Sequence, residues 1–146
     1  MGARLTGSFL LDNSAWARLG HPRLPPSRVD DVAAAIESGR IAACLPFLLE
    51  AGYSARTAAD HRELMEELLA LPWLTIDETV ERRAVEAQRQ LARSGHHRMP
   101  PVDLLLAALA DRYQLGILHY DHDYDLIAAR TDLRFASEWL AQAGSL

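Results

Sequence analysis

The chain contains no lysine. Its fifteen cationic side chains are all arginine, set against twenty acidic ones for a net charge of −5. That balance excludes a domain that holds nucleic acid on a broad basic face. The arginine bias suits bidentate phosphate contacts, but a GC-rich codon usage, which the many alanines also fit, explains it more simply. Cys44 is the only cysteine, so there is no disulfide framework and no cysteine-based zinc site. No apolar run approaches the roughly 18–20 residues needed to cross a bilayer. The opening "MGARLTGSFLLD" has no hydrophobic stretch of signal-peptide length. Met1-Gly2 begins like a myristoylation site, yet a buried-looking strand follows Thr6 at once, which argues against acylation. A cytoplasmic protein with no membrane partner is expected. Repeats, low-complexity segments and a second-domain boundary are all missing, so residues 1–146 read as one domain, long enough to bury a core.

What is present alternates between strand and helix signals. "SFLL" (8–11) reads as a buried strand, followed by a helix in "NSAWARLG" stopped by Gly20. Ser27 is the expected cap of the helix "RVDDVAAAIES". "RIAACLP" (40–46) is a second strand closed by Pro46. "FLLEAGYSA" and "TAADHRELMEELLAL" read as successive helices, and "WLTID" as a third strand. Asp77 caps the long helix "ETVERRAVEAQRQLARS", which Gly95 ends. "VDLLLAALADRYQ" is apolar nearly all round and therefore a buried helix. "GILHY" is a fourth strand and "YDLIAAR" a helix. "RFA" is a candidate fifth strand before a terminal helix "SEWLAQAG". Such alternation implies right-handed crossovers and a three-layer α/β/α sandwich around a mostly parallel sheet of four or five strands.

In open parallel sheets, sites form beyond the carboxyl ends of strands. Asp12 follows the first strand immediately and Asp121 follows the fourth, so parallel strands bring them to one edge. Glu50 in "FLLEAGY" and Asp103 in "PPVDLLLAALA" stand in apolar surroundings, where a carboxylate needs a partner or a metal. Taken alone, Asp103 is a helix-start acid favoured by the dipole, and Glu50 is one solvated position on an apolar helix. The four together point to an all-oxygen site, which hard cations such as Mg²⁺ or Mn²⁺ prefer. Calcium in an EF-hand loop is excluded: counting from Asp121, the sixth position is Leu126 rather than Gly, and the twelfth is Asp132 rather than Glu. An aspartate-nucleophile phosphatase wants D-x-D after the first strand, and residue 14 is Ser. His96 and His97 fit a solvated loop. Trp16, Trp73 and Trp139 fit core packing better than a base-stacking platform.

"LLDNSAW", "LLEAGYSAR" and "PPVDLLLAALADRYQLGILHYDHDYDLIA", in this order, resemble a PIN-domain ribonuclease of the VapC toxin type. The resemblance covers nearly the whole chain. Its most specific block is an Asp opening an Ala-rich helix, then Gly, a strand and D-x-D. It implies metal-dependent cleavage of RNA phosphodiesters by a homodimeric toxin that a VapB-like antitoxin neutralises. It also implies Asp12, Glu50, Asp103 and Asp121 as the catalytic, metal-holding quartet, with Asp123 a further metal ligand. Ser14 becomes a supporting hydroxyl near the site, and Asp125 a helix cap or a supporting group behind the ligands. Arg18 and Arg98 are candidates for RNA contacts, unranked. The alternative is a non-catalytic or regulatory PIN domain that binds RNA or protein partners. Loss of a quartet acid would favour it, and all four are present.

Overall fold

A computed structural model describes residues 4–146. Met1 and Gly2, on which the acylation reading fell, lie outside the described residues. In chain order the elements are β1 (Phe9–Leu11), α1 (Asn13–Trp16), α2 (Pro26–Glu37), β2 (Ile41–Cys44), α3 (Leu45–Tyr53), α4 (Ala58–Leu68), β3 (Trp73–Leu74), α5 (Glu78–Arg93), α6 (Pro101–Tyr113), β4 (Gly116–His119), α7 (His122–Arg130) and β5 (Ser137–Trp139). The five strands form one sheet in the order β3-β2-β1-β4-β5. Every adjacent pair is parallel.

This order positions the site. From β1 the chain steps outward through β2 to β3, then crosses to β4 and steps the other way to β5. Right-handed crossovers in opposite directions put helices on opposite faces of the sheet. They also open a crevice at the carboxyl ends of β1 and β4, where the direction reverses. The two strands are buried throughout, and Leu10, Leu11, Ile117 and Leu118 are fully enclosed. Gly116 allows the close approach: a Cβ there would lie 2.7 Å from the Phe9 ring and 3.0 Å from the Ala136 carbonyl oxygen.

Several boundaries differ from the expected ones. Pro46 opens α3 instead of closing β2, since the first helical turn has no use for its missing N–H. Helix α2 begins at Pro26, one residue before Ser27, and Pro25 occupies the cap position without a side-chain bond. Helix α1 is a single turn. Asp77 does cap α5, accepting the Val80 N–H at 2.9 Å. Gly95, beyond the end of α5, has φ +80°.

The carboxyl terminus departs most. "SEW" is the fifth strand and "RFA" precedes it, and no terminal helix forms. Ser137, Glu138 and Trp139 pair with Ile117, Leu118 and His119. The Leu140 N–H then donates to the His119 carbonyl at 2.7 Å. Buried Arg28 donates to the Trp139 and Leu140 carbonyls at 2.9 and 3.0 Å, and to the Glu138 carboxylate at 2.9 Å. A short helix cannot nucleate against that many tertiary partners. Trp16 packs edge-on against Phe47, whereas Trp73 is 41% exposed. No helix among the described residues is long and apolar enough to cross a membrane.

Candidate active site

Asp12 directly follows β1 and is 3% exposed. It caps α1: its Oδ2 accepts the Ser14 N–H at 2.9 Å and also the Ser14 hydroxyl. Its Oδ1 accepts the Tyr124 hydroxyl at 2.6 Å. Ser14 Oγ in turn accepts the Tyr120 N–H at 2.8 Å. Ser14 is thus a clasp between the ends of β1 and β4, and it orients the Asp12 carboxylate.

Strand β4 stops at His119, one residue short of the expected end, so Asp121 follows after Tyr120 and caps α7, accepting the Asp123 N–H at 2.9 Å. Asp103 lies in the first turn of α6 and is buried. One carboxylate oxygen from each of Asp103, Asp121 and Asp123 falls within 4.8 Å of the others. The amino ends of α6 and α7 favour negative charge there, but burial wins at Asp103. Its carboxyl is pushed up to about 8, first by burial, then by the charges of Asp12, Asp121 and Asp123 and a hydrogen bond to Asp123.

Tyr124 ties Asp12 to this triad. Its hydroxyl is fully buried and also lies 3.2 Å from Asp103 Oδ1. A phenol has one proton to donate, and the shorter contact with Asp12 takes it. The contact with Asp103 is then satisfied when Asp103 carries its own proton, in keeping with its raised pKa. Glu50, half-buried on α3, is likewise raised by burial and by the charges of Asp12 and Asp121. It therefore shares the same negative field from across the crevice.

Of the seven residues read from the sequence, the structure draws Asp103, Asp121 and Asp123 together most tightly. Asp12 joins them through Tyr124, Ser14 holds Asp12, and Glu50 faces the group electrostatically. Asp125 is no helix cap; Asp121 has that place. Asp125 instead accepts the Ser137 hydroxyl at 2.6 Å and the Trp139 Nε1–H at 2.9 Å, tying α7 to β5. Burial alone would raise its carboxyl, and those two donors hold it low.

Sequence reasoning missed Tyr124 and His119. Tyr124 lies in the first turn of α7, three residues after the cap Asp121. His119 is fully buried, and burial takes its pKa down to about 4. Its Nδ1 accepts the Asp121 N–H at 3.1 Å, so Nε2 carries the proton towards Ser137 Oγ at 2.7 Å. A chain of hydrogen bonds thus runs from the Asp121 backbone through His119 and Ser137 to Asp125. No local sequence signal marks it. A cavity of about 720 Å³, lined by Arg4, Arg23, Arg28, Asp31, Glu138 and neighbours, includes none of these acids. His96 lies partly exposed and His97 exposed, on the loop between α5 and α6.

Fold and site define a class: a parallel α/β protein whose carboxylates converge at the switch point between β1 and β4. Residues 9–130 match the PIN domain family. The chain is 39% identical over 139 residues to Ribonuclease VapC51 of Mycobacterium tuberculosis, covering 94% of this chain and 96% of that one. It is 37% identical over 143 residues to Ribonuclease VapC21 of the same species, covering 97% and 99%. Its fold is similar to that of a chain in the DNA-bound VapBC structure from Salmonella typhimurium, with a TM-score of 0.70 at 19% identity, covering 93% and 100%. The chain belongs to the PIN domain family.

Proposed function

We propose that this protein is the ribonuclease toxin of a toxin–antitoxin pair, hydrolysing RNA phosphodiester bonds with a divalent cation, Mg²⁺ or Mn²⁺. The observation that carries the reading is the meeting of Asp103, Asp121 and Asp123 oxygens within 4.8 Å, with Asp103 pushed up to about 8. Carboxylates crowded this closely repel one another, and a cation among them would relieve that repulsion. An all-oxygen donor set suits a hard ion of this kind. The ribonuclease names of the relatives support the same activity, and the whole chain is read as one PIN domain.

Asp103, Asp121 and Asp123 would hold the ion, with Asp12 and Glu50 completing the negative field around it. When bound, the cation supplies Lewis-acid activation of water and neutralises phosphate charge. Ser14 and Tyr124 keep both Asp12 oxygens aimed, and His119 holds the turn that presents Asp121. The buried walls of β1 and β4 keep these charges in a low-dielectric setting, where they act strongly. No histidine or lysine base is needed.

A VapB-like antitoxin is the proposed partner, supported by the VapBC complexes among the structural relatives. Homodimerisation is proposed as well. Exposed Leu69 and Trp73 lie within the stretch "RELMEELLALPW", and Leu45, Leu49 and Tyr53 make an exposed stripe on α3. Light scattering that shows a monomer at high concentration would count against the dimer. For the activity, the antitoxin-free protein is incubated with structured RNAs, with and without EDTA. Cleavage abolished by EDTA and recovered with Mg²⁺ or Mn²⁺ is the expected result, and undiminished cleavage in EDTA would overturn the metal site.

A further inference from the structure

An acidic site that cuts a polyanion needs something positive to hold the strand beside the cation. Arg18 sits one turn after Ser14, and its guanidinium donates to the Ser14 carbonyl at 2.9 Å. The same group lies 4.7 Å from the centroid of the Tyr120 ring, a cation–π distance. Both partners belong to the clasp that aims Asp12: Ser14 Oγ bonds to Asp12, and the Tyr120 N–H bonds to Ser14 Oγ. Arg18 is therefore built onto the frame of the acidic site. Arg98, by contrast, is exposed on the loop before α6.

The guanidinium is also uncommitted. Among the described residues, every salt bridge belongs to Arg4, Arg28, Arg82, Arg83, Arg89 or Arg112, and none to Arg18. One carbonyl and one aromatic face position it without cancelling its charge, which leaves most of its N–H donors unspent. The side chain is only partly exposed, so its orientation is set before any ligand arrives. A planar fork held in this way suits two oxygens of one phosphate.

We infer that Arg18, braced on Tyr120, grips a phosphate of the RNA strand next to the scissile one. This rests on the reading of the protein as a ribonuclease. Arg18 contacts substrate and takes no part in holding the cation. An arginine on an edge of the site gives a strand-holding contact without the broad basic surface that the composition excludes.

The test is steady-state cleavage of a short single-stranded RNA by the intact protein across a salt series, with Mn²⁺ binding followed by electron paramagnetic resonance. Arg18→Ala is expected to raise KM about tenfold or more with kcat within about twofold, the cost of a lost charge-assisted bond. Mn²⁺ affinity should stay unchanged, which also shows that the fold is intact. The dependence of log KM on log salt should fall by about 0.7, the value of one single-strand phosphate contact. Arg18→Lys should lie between wild type and Arg18→Ala. Tyr120→Phe, which keeps the ring, should behave as wild type, whereas Tyr120→Leu should follow Arg18→Ala. An unchanged KM and salt slope in Arg18→Ala overturns the proposal, whatever protein surface Arg18 then proves to bind. Wild-type protein that cuts no RNA in Mn²⁺ would instead overturn the ribonuclease reading itself.

Discussion

The Tyr124 hydroxyl donates a 2.6 Å hydrogen bond to Asp12 Oδ1, joining residues 112 positions apart. The phenol comes from α7 and the carboxylate from the end of β1, and both are buried. The bond holds the acid of one strand against the helix that follows another, and so sets the width of the crevice at the switch point.

Tyr124→Phe removes the donor while keeping the ring. A buried Asp12 oxygen then loses its partner, at a cost of about 1.5–3 kcal/mol for a bond to a charged group. The metal-free variant should melt below wild type at neutral pH. Added Mg²⁺ should narrow the gap if Asp12 helps the cation site. An equal melting temperature would mean that water replaces the hydroxyl.

The metal-free protein should lose stability as pH rises from about 6.5 to about 8. Asp103 has its carboxyl raised from 3.8 to about 8 in the fold, so the folded state binds more protons than the unfolded one across that interval. Where the folded state binds more protons, stability falls with rising pH. His119 acts oppositely: its pKa falls from 6.5 to about 4, so its contribution rises with pH within that range. The two oppose each other at acid pH, and above about 6.5 the His119 contribution is complete and the decline from Asp103 remains. Thermal melts in EDTA across this range should show the decline, and Asp103→Asn should flatten it. A wild-type curve that climbs through the same window would refute the assignment.

Mg²⁺ should raise the melting temperature of wild type, because it binds the native cluster and not the unfolded chain. Asp103→Asn and Asp121→Asn should each lose most of that shift and essentially all cleavage while remaining folded. Asp12→Asn should also be inactive. Since the carboxylates act as a unit, a double variant should be little worse than either single one. Wild-type turnover in Asp103→Asn would remove that residue from the site.

Asp125→Ala should be a stability variant. It releases the Ser137 and Trp139 donors that tie α7 to β5, and both can turn to water. A loss on the order of 1 kcal/mol, or about 2–4 °C for a chain of this size, is expected. Cleavage should stay within a few-fold of wild type at a temperature where both are folded. A collapse of activity without loss of stability would give Asp125 a direct part in the chemistry.

Much of this was legible in the chain. Alternating strand and helix signals specify parallel crossovers, and an acid directly after a buried strand must emerge at the carboxyl edge; that places Asp12 beside Asp121. Local spacing also identifies Asp77 as a cap and sets Asp121 and Asp123 two positions apart. Local features are legible in this way because each depends on near neighbours: a side chain bonding to a backbone N–H two or three residues on, or a periodicity of apolar positions.

What the sequence by itself determined, then, is the alternation of strands and helices and the sheet edge at which Asp12 and Asp121 emerge. Only the tertiary structure decided which acids crowd together, with oxygens of Asp103, Asp121 and Asp123 within 4.8 Å of one another, and what steers them. Tyr124 reads locally as one more core aromatic, and His119 as the last residue of a strand. Their roles arise from hydrogen bonds across 112 residues to Asp12 and 18 residues to Ser137. The terminal "SEWLAQAG" carries a helical pattern, yet pairing with β4 and the grip of Arg28 on its carbonyls make its first three residues a strand. Hydrogen bonding and desolvation between distant segments depend on positions in space, which local periodicity does not encode.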